Sequence, residues 1–305
     1  MTQDKPANIA ASVRQRLLNI SRETGDDPNH LLTRYATERL LYRLSVSQHA
    51  GDFVLKGAML FMAWTGQLYR PTADVDFLGY GEDSSDRLVD VFRSVCRVQV
   101  EPDGLSFNAD SVTASRIREE QEYQGQRVTL SALLGKALVH VQVDVGFGDV
   151  VTPGPVKILY PTLLDLPAPS VRACPPETVV AEKSQVMVML GIANSRMKDF
   201  YDFWVLSRDF PFEGSTLVQA IQATFKRRLT DIPAKPPVAL TEEFAKDAAK
   251  VAQWKAFVRR SRLERAAPAL HDVLTCIREF LWPPMRAAHG DHLVPTTWPK
   301  GGPWT

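Results

Sequence analysis

The chain has 305 residues, 45% apolar and 23% charged, with a formal net charge of +1, a balance that fits one large or two ordinary globular domains and neither demands nor excludes a polyanionic partner. Its three cysteines, Cys96, Cys174 and Cys276, are widely spaced with no CxxC pair, which excludes a disulfide framework and a zinc knuckle and makes a reducing compartment the expectation. The first residues lack the apolar core of a signal peptide, and no apolar run approaches the ~20 residues of a membrane span, so a cytoplasmic protein without a membrane segment is expected.

In chain order, apolar residues at three-to-four spacing predict helices over 8–24 and 30–49, with GDD at 25–27 and Pro28 as the break between them. FVL at 53–55 is a short strand, Gly57 a turn, and AMLFMAW a buried helix ending at Gly66. ADVDFLG is a second strand, and residues 84–98 form a helix capped by Ser84 or Ser85. Residues 105–150 are β-rich. In ALVHVQVDVGFGD, Val139, Val141, Val143 and Val145 alternate with His140, Gln142 and Asp144, a clean period of two. A proline-rich connector, 161–177, leads to helical patterns from Glu177, with a second proline-rich stretch at 231–241 and helices through 283. The expected class is α+β: a mixed β-sheet flanked by helices over 1–165, a helical domain over 166–288, and an irregular tail over 289–305.

The stretch ADVDF carries an electrostatic problem. Residues i and i+2 of a strand share a face, so Asp74 and Asp76 lie together while Val75 and Phe77 take the other side. Two carboxylates ~4 Å apart repel by about 4 kcal/mol at an effective dielectric of about 20. A divalent cation turns that cost into a gain. Asp144 repeats the logic on the polar face of the valine strand. If the two strands are neighbours, three carboxylates converge into a site suited to in-line displacement at phosphorus. Upstream, Gly57 ahead of a helix lets backbone N–H groups approach a phosphate. A solvated strand end is the plain alternative for the D-x-D pair, and an edge strand showing one acid to water is the alternative for Asp144.

A glycine at a strand-to-helix turn, D-x-D on the next strand and a single acid on a later one resemble the DNA polymerase β-type nucleotidyltransferase superfamily. Within it, LLTRYATERLLYRLSVSQHAGDFVLKGAMLFMAWTG, RPTADVDF, AEKSQVMVMLGIANSRMKDFYDFWVL and QWKAFVRR resemble the AbiEii/AbiGii toxins of type IV toxin–antitoxin and abortive-infection systems, from about residue 30 to 283. The resemblance implies a nucleotidyltransferase-type fold. It places Gly57 and Ala58 at the phosphate-binding turn and Asp74, Asp76 and Asp144 as metal and catalytic acids. Lys183 becomes a triphosphate contact and catalytic group, and Asp199 an active-site acid with Lys198 and Asp202 beside it. Arg70 is a further candidate phosphate contact. Two Mg²⁺ ions, an NTP substrate, an RNA acceptor such as the tRNA 3′ end with consequent block of translation, and a cognate antitoxin are also implied. Ala58 departs from the pattern, because a serine hydroxyl usually follows the glycine.

Other readings of the helical half stand beside these. Lys183 suits a snorkelling surface lysine, and Asp199 and Asp202, at i and i+3, suit the exposed face of a helix that buries Phe200, Phe203 and Trp204. Lys226, Arg227, Arg228, Lys255, Arg259, Arg260, Arg262 and Arg265 suit either a nucleic-acid backbone or a solvated face. Two rivals to the RNA-directed enzyme remain: a transferase acting on a small molecule or protein hydroxyl, and a catalytically weak binding protein, the latter suggested by Ala58.

Overall fold

Asn8 caps the first helix, α1 (Ile9–Thr24), by accepting from the Ala11 N–H, and Gly25 ends it in the left-handed region at φ 78°. Asp27 caps α2 (Pro28–Ser45), with Pro28 in its first turn, where a missing N–H costs nothing. Pro28 therefore opens the second helix instead of separating it from the first, and the helix stops at Ser45, short of the expected His49. In this computed structural model the described residues are 8–305 except 67, 68, 71, 73, 118–124, 264, 292 and 294. The chain divides into two compact units: Met1–Gly148 with Val156–Ala173, and Asp149–Pro155 with Cys174–Thr305.

The first unit continues with β1 (Phe53–Lys56), α3 (Met59–Thr65), β2 (Asp74–Gly79), α4 (Ser85–Cys96), β3 (Leu105–Ile117), β4 (Gly125–Leu134), β5 (Ala137–Phe147), β6 (Val156–Leu159) and β7 (Ser170–Ala173). Among the described residues these strands form one sheet in the order β3-β4-β5-β2-β1-β7-β6. It is mixed: β2 and β5 run parallel, as do β1 and β7, and the other pairs are antiparallel. Strand β7 lies inside the stretch read as a proline-rich connector. Its four residues alternate in burial and owe their strand state to pairing with β1 and β6, a long-range contact that local composition does not announce.

Alternation sets the two faces of the sheet. Val139, Val141, Val143 and Val145 of β5 and Val75 and Phe77 of β2 are buried, and α2 and α4 pack against the sheet. The opposite face carries the polar positions. Helix α2 is buried nearly all round, including Arg39 and Arg43, because Asp103 meets both guanidinium groups. Arg39 Nε donates to Asp103 Oδ2 (3.2 Å), Arg43 Nη1 and Nη2 donate to Oδ2 and Oδ1 (2.6 and 3.2 Å), and Tyr35 donates to the Asp103 carbonyl (2.7 Å).

The second unit holds α5 (Pro176–Leu190), α6 (Met197–Asp209), β8 (Phe212–Glu213), α7 (Gly214–Arg227), α8 (Glu242–Lys246), α9 (Ala248–Arg260), α10 (Leu270–His289) and β9 (Thr297–Trp298). Helix α10 runs through Pro283 and Pro284 to His289, with Phe280, Leu281, Pro284 and Met285 buried, so packing carries it past the point where local propensity ends it. The tail is more ordered than its composition suggests. Strand β9 pairs with β8, Trp298 Nε1 donates to the Ser207 carbonyl (2.6 Å), and Trp304 Nε1 donates to that of Phe280 (2.7 Å). Phe212, Phe280, Trp298 and Trp304 form one aromatic cluster with ring centroids 4.9–6.1 Å apart.

Candidate active site

The acidic positions of the first unit stand on adjacent strands in exact register. Asp76 of β2 is opposite Asp144 of β5, and Asp74 is opposite Gln142. Paired residues of neighbouring strands share a face, so Asp74, Asp76 and Asp144 lie on the polar side of the sheet, each half-buried. The expected adjacency of the two strands is what the sheet has.

Gly57 completes this corner. Its φ of 71° is left-handed, and a Cβ built there would lie 1.9 Å from Asp76 Oδ2. No side chain fits, and the backbone at the start of α3 passes directly over the carboxylate. Ala58 begins α3 without a side-chain cap hydrogen bond and is 8% exposed. Arg70 is half-buried just ahead of β2.

The Asp144 carboxylate has a partner that sequence reasoning missed. Arg127 of β4 donates from Nε to Oδ1 (2.8 Å) and from Nη2 to Oδ2 (2.7 Å), a two-pronged grip. Gln142 Nε2 adds a longer contact to Oδ1 at 3.4 Å. A signal was present. Strands β4 and β5 are joined at Gly135–Lys136, with Leu134 opposite Ala137, and counting back along the hairpin sets Arg127 against Asp144. In chemical type the donor set suits a hard divalent cation: carboxylates at alternate positions of one strand and a third in register beside them. Among the described residues no three His, Cys, Asp or Glu side chains form a ready-made metal cluster, and both Asp144 oxygens are turned to Arg127.

The second unit brings Lys183, Asp199 and Asp202 together. Lys183 Nζ of α5 lies 2.5 Å from Asp199 Oδ1 and 2.9 Å from Asp202 Oδ2, both on α6. Arg196 Nε donates to the other Asp199 oxygen at 2.6 Å, a pairing legible from its i, i+3 spacing. Asp199 and Asp202 are 4% and 2% exposed, which corrects the reading of an exposed helix face, and the Lys183 side chain, 15% exposed, is no snorkelling lysine. Burial pushes the Asp199 carboxyl up, but Lys183 and Arg196 outweigh it and hold it well below the usual carboxylate range. The cluster is a fixed, charge-balanced network.

The basic stretches separate. Arg228 is internal to the second unit: it grips Asp149 with Nε and Nη2 (3.1 and 3.0 Å) and donates from Nη1 to Gln185 Oε1 (2.9 Å), so it offers no surface for a nucleic acid. Lys226, Arg227, Lys255, Arg259, Arg260, Arg262 and Arg265 are exposed.

The family model described as nucleotidyl transferase AbiEii toxin, type IV TA system, matches residues 39–276. The chain belongs to the AbiEii family. It is thus a nucleotidyltransferase, of a toxin family from type IV toxin–antitoxin systems; such enzymes take an NTP with a divalent metal, and the family implies an antitoxin partner. No curated protein matches this AbiEii chain. Among solved structures it is similar to the crystal structure of JHP933 from Helicobacter pylori, at 14% identity and TM-score 0.48, covering 85% of this chain and 91% of that one. A second H. pylori crystal structure, with a provisional description as a nucleotidyltransferase, aligns at 13% identity and TM-score 0.47, covering 87% of this chain and 96% of the other. Among the described residues no helix is long and apolar enough to cross a membrane.

Proposed function

We propose that this AbiEii-family enzyme transfers a nucleotide from an NTP to a hydroxyl of RNA, with the tRNA 3′ end as acceptor, and so blocks translation in the cytoplasm. The observation that carries the reading is the register of Asp76 with Asp144, which lines three carboxylates along one sheet face beside Gly57. Asp74, Asp76 and Asp144 would hold the divalent cations, two Mg²⁺ by family resemblance; when bound, these lower the pKa of an attacking hydroxyl and neutralise a leaving pyrophosphate.

The rest is work for the chain itself. The Gly57–Ala58 backbone approaches the triphosphate where a side chain would collide, and Arg70 supplies a charge for it. The acceptor oxygen forms its bond to the α-phosphorus as the bond to pyrophosphate breaks. In the second unit, Lys183, held by Asp199 and Asp202, is a catalytic candidate by family resemblance, and the exposed cations of α9 and the segment after it are a candidate surface for a nucleic-acid backbone. An antitoxin that suppresses this activity is the expected partner.

The test is transfer of label from each α-labelled NTP to total RNA, to protein and to small hydroxyl compounds, with and without EDTA. Label in tRNA that EDTA abolishes is the expected result. Label confined to protein or small molecules overturns the RNA acceptor, and EDTA-resistant transfer overturns the cation role of the three acids.

A further inference from the structure

Four charged residues stand in one row across four adjacent strands. Arg127 is opposite Asp144, Asp144 opposite Asp76, and Asp76 opposite Lys56. The row reads cation, anion, anion, cation, and partners in register share the polar face. The two acids read above as metal ligands are thus flanked by basic residues from the strands on either side.

Arg127 meets its acid in a specific geometry. Its guanidinium plane meets both Asp144 oxygens at 2.7–2.8 Å, the same oxygens that a cation at this carboxylate needs. The pair is not a core contact. The Arg127 side chain is 41% exposed and that of Asp144 18%, so solvent screens the attraction and the grip is exchangeable. A guanidinium fork accepts a phosphate as readily as a carboxylate, with the same two-pronged geometry. An NTP arriving at this face brings phosphates that compete with Asp144 for Arg127.

We infer that Arg127 is a positioning residue that makes cation binding depend on nucleotide: it holds Asp144 until the triphosphate draws the guanidinium away, and only then are both carboxylate oxygens available to a cation. This rests on the reading of Asp74, Asp76 and Asp144 as metal ligands. Its consequence is an enzyme that does not assemble its cation site before its substrate is present. Arg127 acts through Asp144 and needs no direct contact with the reacting atoms.

The experiment is calorimetric titration of Mn²⁺ into the full-length protein, with and without an NTP analogue carrying a non-hydrolysable α,β bridge. Wild type, Arg127→Gln, Arg127→Lys and Arg127→Gln/Asp76→Asn are compared, each first checked for a native circular dichroism spectrum and thermal transition. Wild type is expected to bind Mn²⁺ at least about tenfold more tightly with the analogue than without. Arg127→Gln is expected to bind about tenfold more tightly than wild type without analogue, and to gain little from it. Arg127→Lys keeps the charge but loses the planar fork, and is expected to shift toward the Gln variant. If Arg127→Gln matches wild type in both conditions, the coupling is overturned. If Arg127→Lys matches wild type while Arg127→Gln does not, net charge alone is acting and the latch is overturned. Absence of Mn²⁺ uptake by any variant, or uptake that survives Asp76→Asn, defeats the metal-ligand reading itself and this inference with it.

Discussion

Asp76 stands directly opposite Asp144 across the parallel β2–β5 pair. At a strand spacing of ~4.8 Å the two carboxylates lie close enough to repel by a few kcal/mol, about 3 at an effective dielectric near 20. Lys56 and Arg127 stand in register on either side of the two acids and offset that repulsion, so removing one acid charge changes stability little while removing function. Asp74→Asn and Asp76→Asn are expected to leave the melting temperature unchanged or slightly raised and to cut nucleotide transfer by about 100-fold or more. A variant that loses stability and keeps activity would make these acids structural.

The turn at Gly57 has room for a backbone and nothing else. Gly57→Ala puts a methyl group 1.9 Å from Asp76 Oδ2 at a left-handed φ, so the turn or the carboxylate must move. A cost of about 1–3 kcal/mol and near-complete loss of transfer are expected, read by urea unfolding and by the labelled-NTP assay. Ala58→Ser is the converse. It supplies the hydroxyl usual in the glycine-turn pattern that this stretch resembles, and a KM for NTP about fivefold lower at similar kcat is expected, the equivalent of one hydrogen bond of about 1 kcal/mol. An unchanged KM would mean that the phosphates do not reach this turn.

Lys183 is the shared counter-ion of two buried acids. Lys183→Met leaves Asp199 and Asp202 without its charge, and a loss of about 3–5 kcal/mol is expected from denaturant unfolding. Because the folded-state Asp199 carboxyl is held below its ordinary range, its contribution is present above the unfolded value near 4 and is lost as the pH falls further. The Lys183→Met penalty is therefore expected to shrink in strong acid; a penalty independent of pH would contradict the ion-pair account.

Glu38 behaves in the opposite sense. It is fully buried on α2, accepts from the Leu163 N–H at 2.8 Å, and burial pushes its carboxyl from 4.5 up to about 7 against the pull of that N–H, Arg39 and Arg34. Between these values the folded protein keeps a proton that the unfolded chain has released, so stability falls as the pH rises through the window, by about 3 kcal/mol. Glu38→Gln cannot ionise. Its melting temperature relative to wild type is expected to climb by several degrees between pH 4.5 and 8, and parallel curves would refute the assignment.

What was legible in the sequence is what short-range periodicity controls. The alternation of ALVHVQVDV gave a strand with one acid on its polar face, ADVDF another with two, and Ser84 and Gly66 bounded helices as capping chemistry requires. The glycine turn and D-x-D were also enough to mark the candidate site. Even Arg127 was within reach, since a hairpin's register follows from its turn. The rest depends on which segments meet. β7 is a strand because β1 lies beside it, α2 tolerates Glu38, Arg39 and Arg43 because Leu163 and Asp103 come to them, and the Gly- and Trp-rich tail is ordered because Phe212 and Phe280 receive its rings. A residue's own spacing decides its face. Whether a charge on that face ends in solvent, in a grip such as Arg127 on Asp144, or buried between two acids as Lys183 is, depends on partners as far as 17 residues away at one site and 125 at another, and only the folded chain brings those together.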